Sequence, residues 1–299
     1  MRYLWLIPIL FLLSCTNFNV EEKESWLYQL QNINIDDIAS TKFDVVVIDY
    51  SSDGTEDGEF SKEDIEKIKS SGKKVLAYLS IGEAEDYRFY WKDEWDENPP
   101  EWLGNENPEW EGNYAVRYWM DGWKEVLDEY ISRIESQGFD GLYLDKVDEF
   151  EYWADPENGE DEYYDEETTA ASMIDLIAWI SERFDGLIFI QNGERIVEYD
   201  NGRLMDSIDG IAIEDLFYIG TEMASDEWIS ERLGYINQFI ENGKECLSVD
   251  YVDDGSDSQE NIERIEDYIE KARNHGCIPY AAMSDRELDE IVIIGGIQP

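Results

Sequence analysis

One histidine, His275, serves the whole 299-residue chain. It precedes Gly276 at the end of an amphipathic stretch, which is where a helix C-cap belongs. With that histidine taken up by a cap and no other in the chain, Ser-His-Asp catalysis and a histidine-built zinc site are both disfavoured. Bases are scarce as well: 23 Lys and Arg stand against 72 Asp and Glu, for a formal net charge of −49. Such a surface repels phosphate, so no nucleic-acid partner is expected. The acids are spread along the chain, as on a solvated surface in a saline habitat; attraction of a cationic substrate is the other reading. Three cysteines are too few for a disulfide scaffold. Cys246 and Cys277 each open an apolar segment and are read as two buried thiols, a disulfide being conceivable if those strands are neighbours. There is no Gly-rich phosphate turn after the first apolar segment and no Asp-x-Asp-x-Asp-Gly loop. Neither a dinucleotide nor a calcium loop is therefore indicated, and no cofactor or metal is called upon.

The apolar run from Tyr3 to Leu13 is too short to cross a bilayer. It follows the basic Arg2 and ends in Leu12-Leu13-Ser14-Cys15, so residues 1–15 read as a lipoprotein signal peptide with Cys15 as the lipidated residue. An ordinary cleaved signal peptide is the alternative. Either way the mature chain is exported, to the cell envelope or beyond it, and meets a membrane only through that anchor. Residues 16–25 form a polar tether.

The rest of the chain is 26–299, and its hydrophobic share marks it as globular: 42% counted over the full sequence. Eight apolar segments alternate with amphipathic ones. They are Trp26–Gln31, Asp44–Tyr50, Lys74–Gly82, Gly141–Asp145, Leu187–Asn192, Gly210–Glu214, Cys246–Tyr251 and Cys277–Met283. Most are too short for helices and rich in Val, Ile, Leu and Tyr. The intervening helices, such as 120–137 and 257–275, stop at glycines that suit a left-handed C-cap. This alternation predicts an α/β fold, a single-domain (β/α)8 TIM barrel, in preference to a doubly wound open sheet. The third connection is long and crowded with tryptophan: Trp91, Trp95, Trp102, Trp110, Trp119 and Trp123 are six of the 11 in the chain. Either its rings offer flat faces to sugars or they form the core of a small cover over the barrel mouth.

Three apolar strands end on an acid. Val45-Val46-Val47-Ile48-Asp49, Gly141-Leu142-Tyr143-Leu144-Asp145 and Gly210-Ile211-Ala212-Ile213-Glu214 each place that acid in phase with one face of the strand. They are strands two, four and six, whose inward side chains share layers in such a barrel, so the three carboxylates converge at its C-terminal mouth. Crowded acids push one another's pKa apart, and glycoside hydrolysis needs one ionised and one protonated carboxyl. A divalent cation or a plain salt bridge is the competing use, and Asp148 stands near enough to join either.

These segments resemble glycoside hydrolase family 114, the endo-α-1,4-polygalactosaminidase-like barrels. The resemblance rests on Trp26-Leu27-Tyr28-Gln29-Leu30-Gln31, Val47-Ile48-Asp49-Tyr50-Ser51, Leu76 to Glu85, Gly138 to Asp145 with Asp148, and Glu214. It implies a retaining, endo-acting enzyme that uses no cofactor and cleaves an amino-sugar polysaccharide. Asp145 matches the nucleophile and Glu214 the acid/base. Asp49, Tyr50, Tyr78, Glu83, Tyr143 and Asp148 fall where the family lines its substrate cleft. A non-catalytic glycan-binding surface lipoprotein is the alternative function.

Overall fold

A computed structural model describes residues 25–299 of the chain. The expected signal peptide, Cys15 and the tether up to residue 24 lie outside the described residues. Eight parallel strands form one sheet in sequence order: β1 Trp26–Gln29, β2 Val45–Ile48, β3 Lys74–Ser80, β4 Gly141–Asp145, β5 Leu187–Gln191, β6 Gly210–Glu214, β7 Glu245–Asp253 and β8 Ile278–Met283. Strands β1 and β8 face each other across the seam, where Trp26 Nε1 donates to the Ile278 carbonyl at 2.9 Å. Six longer helices lie between strands: α1 Ile35–Ser40, α2 Lys62–Lys69, α3 Asp121–Gln137, α4 Glu166–Arg183, α5 Asp226–Glu241 and α6 Gln259–Asn274. This is the (β/α)8 barrel.

Local chemistry explains the boundaries. Ser61 caps α2 in a reciprocal capping box with Asp64, and Ser225 and Ser258 cap α5 and α6 with their hydroxyls. Gly138 ends α3 in the left-handed region at φ 86°, a conformation that a side chain resists. His275 is the C-cap of α6. Strand pairs are buried on both faces, so they read as nearly continuous apolar runs. The interior is filled by rings from several strands. Tyr143 of β4 meets Trp26 and Tyr28 of β1 at centroid distances of 6.3 and 5.2 Å, and Tyr280 of β8 lies 5.9 Å from Trp26.

The reading of Cys246 and Cys277 as two buried thiols is overturned, for they are joined in a disulfide. The strand register explains why. Leu247 pairs with Ile278 in parallel, so the preceding residues sit side by side, with their Cα atoms 4.5 Å apart.

The third connection is a small cover. Its strands Glu83–Glu85, Leu103–Glu106 and Asn113–Val116 form an antiparallel sheet, with a 3-10 turn at Asp93–Asp96. Tryptophans are chiefly its core. The rings of Trp91, Trp95, Trp102 and Trp123 follow one another at 5.1–5.2 Å, and Trp119 packs on Trp153 and Tyr164. Trp110 alone of the six is strongly exposed. Trp123, in the first turn of α3, is wholly buried and donates Nε1–H to the Ile81 carbonyl at 2.9 Å, which pins the cover to the end of β3. Trp123→Ala is therefore expected to cost about 3–5 kcal/mol of unfolding free energy. A urea midpoint equal to that of the parent would show that the cover is not packed on the barrel.

Candidate active site

The C-terminal ends of the strands form the mouth, and several turn sharply there. Lys146, Asn192 and Asp215, the residues that follow β4, β5 and β6, all adopt positive φ (63°, 55° and 52°). Non-glycine residues seldom sit in this region, and such strain collects at functional sites. Two of the three kinks, at Lys146 and Asp215, lie directly after the two acids of interest, Asp145 and Glu214.

Asp145 is half-buried and held on both oxygens. Tyr78 donates its hydroxyl to Oδ2 at 2.7 Å, and the Lys146 backbone N–H reaches Oδ1 at 2.8 Å. Its pKa is pushed up to about 7. Burial is the main cause, Lys146 opposes it, and the negative charge of Glu214 adds to it. Glu214 is half-buried as well. Its carboxylate accepts from the Tyr251 hydroxyl and from Asn192 Nδ2 (2.9 Å), while its own N–H donates to Asn192 Oδ1 at 3.0 Å. The structure thus brings Asp145 and Glu214 into one electrostatic field, each with separate hydrogen-bond donors. Tyr143 lies beneath them, fully buried, and its phenol is held neutral by burial and then by the charges of Glu214 and Asp145. Asp148 is exposed at the rim.

The other expected cleft residues are placed behind the mouth. Asp49 is buried and paired with Arg88 at 2.7 Å, while Arg88 also pairs with Glu85 at 2.6 Å. This clamp joins β2 to the cover between the rings of Tyr50, Tyr87 and Tyr130. Tyr50 is fully buried and donates to the Gly54 carbonyl. Glu83 is 1% exposed, too deep to touch a polymer. It accepts from Asn107 (2.7 Å) and Asn113 (3.2 Å) of the cover and pairs with Lys146 at 2.9 Å. Asp49, Tyr50 and Glu83 therefore brace the site instead of lining it.

The two quoted motifs Ser80–Glu85 and Gly138–Asp148 meet here. A Cβ on Gly82 would lie 2.2 Å from the Lys146 carbonyl, so only glycine lets these turns touch. Burial lowers the pKa of Lys146, but Glu83, Asp148 and Glu149 outweigh that effect and keep it firmly charged beside Asp145. Sequence reasoning missed Asn192, Tyr251, Lys146 and Asp250. Asp250 lies on β7 and accepts the backbone N–H groups of Leu216, Phe217 and Tyr218 at 2.8–2.9 Å, bracing the loop behind Glu214. The only hint was the acid inside the apolar run Leu247–Val252.

A parallel barrel with an acid pair at its C-terminal mouth is an arrangement that glycoside hydrolysis can use, and a family match makes the chain a glycosidase. The chain belongs to glycoside-hydrolase family GH114, whose match spans residues 14–297. It is 54% identical over 273 residues to an uncharacterized protein of Methanocaldococcus jannaschii, covering 89% of this chain and 77% of that one. An uncharacterized protein of Thermotoga maritima is 47% identical over 307 residues, covering 99% and 94%. The glycoside hydrolase domain of PelA from Pseudomonas aeruginosa superposes with a TM-score of 0.68 at 16% identity, over 90% of this chain and 97% of that one. Aspergillus fumigatus Ega3, solved in complex with galactosamine, gives 0.65 at 16% identity, over 90% and 95%. These two structures share the fold.

Two measurements test the electrostatics. Replacing Lys146 with Met removes the charge that lowers the pKa of Asp145, so the acid limb of kcat/KM should move to higher pH, whereas Lys146→Arg should leave it near its original position. A limb unmoved by Lys146→Met would contradict the coupling. The second concerns stability. Asp145 has a folded pKa (about 7) above its unfolded one, so its stabilising contribution is present below about pH 4 and lost as pH rises through 7. Asp145→Asn cannot ionise, so it should melt higher than the parent at pH 8 and much like it at pH 4. Equal melting at both values would remove the burial argument.

Proposed function

We propose that the chain is a retaining, endo-acting hydrolase of an amino-sugar polysaccharide of the α-1,4-galactosaminoglycan type, with Asp145 as nucleophile and Glu214 as acid/base. The observation that carries this reading is the shared mouth, where two acids from strands β4 and β6 each keep their own donors. In the first step an Asp145 oxygen attacks the anomeric carbon. The glycosidic C–O bond breaks, and the leaving oxygen takes the proton that this role requires the Glu214 carboxyl to carry. In the second step Glu214, now a carboxylate, takes a proton from water. The water oxygen bonds to the anomeric carbon and the Asp145 carboxylate departs. Tyr78 and the Lys146 N–H steady the charge that returns to Asp145. The galactosamine bound to Ega3 and the net charge of −49, which favours an ammonium-bearing glycan, support the substrate class.

Export belongs to the same proposal. The Cys246–Cys277 disulfide suits an oxidising compartment, and Cys15 would supply a lipid anchor.

The test is reducing-end release from N-acetylated and deacetylated galactosaminoglycan by purified variants. Asp145→Asn should lose at least about 1,000-fold in kcat, and Glu214→Gln about 100- to 10,000-fold, with the smaller loss on substrates whose leaving group needs no proton. Near-parental rates in either variant would refute its role.

A further inference from the structure

An exposed aromatic ring tied to the backbone beside Glu214 lies outside the Trp-rich cover. Among the described residues seven large hydrophobic side chains are strongly exposed, and three of them follow Glu214: Ile219 (51%) and Met223 (55%) in the connection between β6 and α5, and Trp228 (41%) in the first turn of α5. Trp228 is the anchored one. Its Nε1–H donates to the Asp215 carbonyl at 2.9 Å, which fixes the indole against the residue next to Glu214. The Arg232 guanidinium sits 5.1 Å from the ring centroid. Arg232 is itself immobilised: it pairs with Glu194 and donates to the carbonyls of Glu214 at 2.7 Å and Asp215 at 3.2 Å. The exposed ring and the backbone of Glu214 thus share one rigid network, which Asp250 braces from β7.

We propose that Trp228 is a stacking platform for a pyranose ring on the leaving-group side of the scissile bond. The inference rests on the hydrolase reading above. The side follows from the chemistry: Glu214 protonates the departing oxygen, so the departing sugar lies toward Glu214 and away from Asp145. A sugar ring turns one C–H face to its support, and an indole held at its N–H edge offers a flat apolar face whose orientation is set before ligand arrives. Ile219 and Met223 extend the apolar surface along the same connection, where a polymer but not a monosaccharide would reach them.

The experiment compares the parent, Trp228→Ala and Trp228→Phe on deacetylated galactosaminoglycan and on a glycosyl fluoride, whose leaving group has no ring to stack. Trp228→Ala should raise the polymer KM and lower the ratio of polymer to fluoride kcat/KM by roughly tenfold. Trp228→Phe, which keeps an aromatic face, should recover most of that ratio. An unchanged ratio in Trp228→Ala overturns the platform alone, and so does an equal loss on both substrates, which would make Trp228 a brace for Glu214. A parent enzyme that cleaves neither substrate overturns the hydrolase reading and the platform with it.

Discussion

Two carboxyl groups share one mouth, and each is held there by separate hydrogen-bond donors. Asp145 has Tyr78 and the Lys146 N–H, while Glu214 has Tyr251 and Asn192. Even so, burial and the Glu214 charge push the Asp145 pKa up to about 7, and without the Tyr78 hydrogen bond, which favours the charged form, it would rise further. Much of the surrounding structure serves this constraint. The left-handed turns at Lys146, Asn192 and Asp215 aim the strand ends, Gly82 lets the turn after β3 touch the turn after β4, and Asp250 pins the loop behind Glu214.

The cover takes part from a distance. Its asparagines, Asn107 and Asn113, hold Glu83, and Glu83 holds Lys146, whose charge acts on Asp145. A second clamp, Asp49–Arg88–Glu85, ties the cover to β2. Acids that a sequence-level view places in the cleft are thus spent on fastening the cover and biasing the nucleophile. Their burial explains this: a fully enclosed carboxylate needs a cation and donors of its own, and once paired it has no capacity left for substrate.

The barrel was legible because its strands are short apolar runs separated by amphipathic helices, several of which end at glycine, and each of the eight expected segments overlaps an observed strand. Asp145 and Glu214 stood out because an acid at the end of an apolar strand has no packing reason to be there. Depth was not legible. Asp49 ends its strand as Asp145 does, yet it lies behind Arg88, a partner 39 residues away that no period or spacing reveals. The disulfide stood only as the alternative to two thiols, since it depends on the parallel register that sets Cys246 beside Cys277, which strand order alone does not give. The Trp-rich connection left two readings open, and the structure favours the core of a cover for most of its rings. Trp91, Trp95, Trp102 and Trp123 form a core, while the exposed ring beside Glu214 is Trp228, an isolated residue in the first turn of α5.

The central claim is a division of labour: Asp145 bonds to the sugar and Glu214 moves the proton. Its most direct test is to treat Glu214→Gln with a 5-fluoro amino-sugar glycosyl fluoride, which forms the covalent intermediate without acid help and hydrolyses slowly without a base. Mass spectrometry of the digested protein should find one sugar adduct, on the peptide that carries Asp145. An adduct on any other peptide, or fluoride release with inverted product and no adduct, would contradict the account.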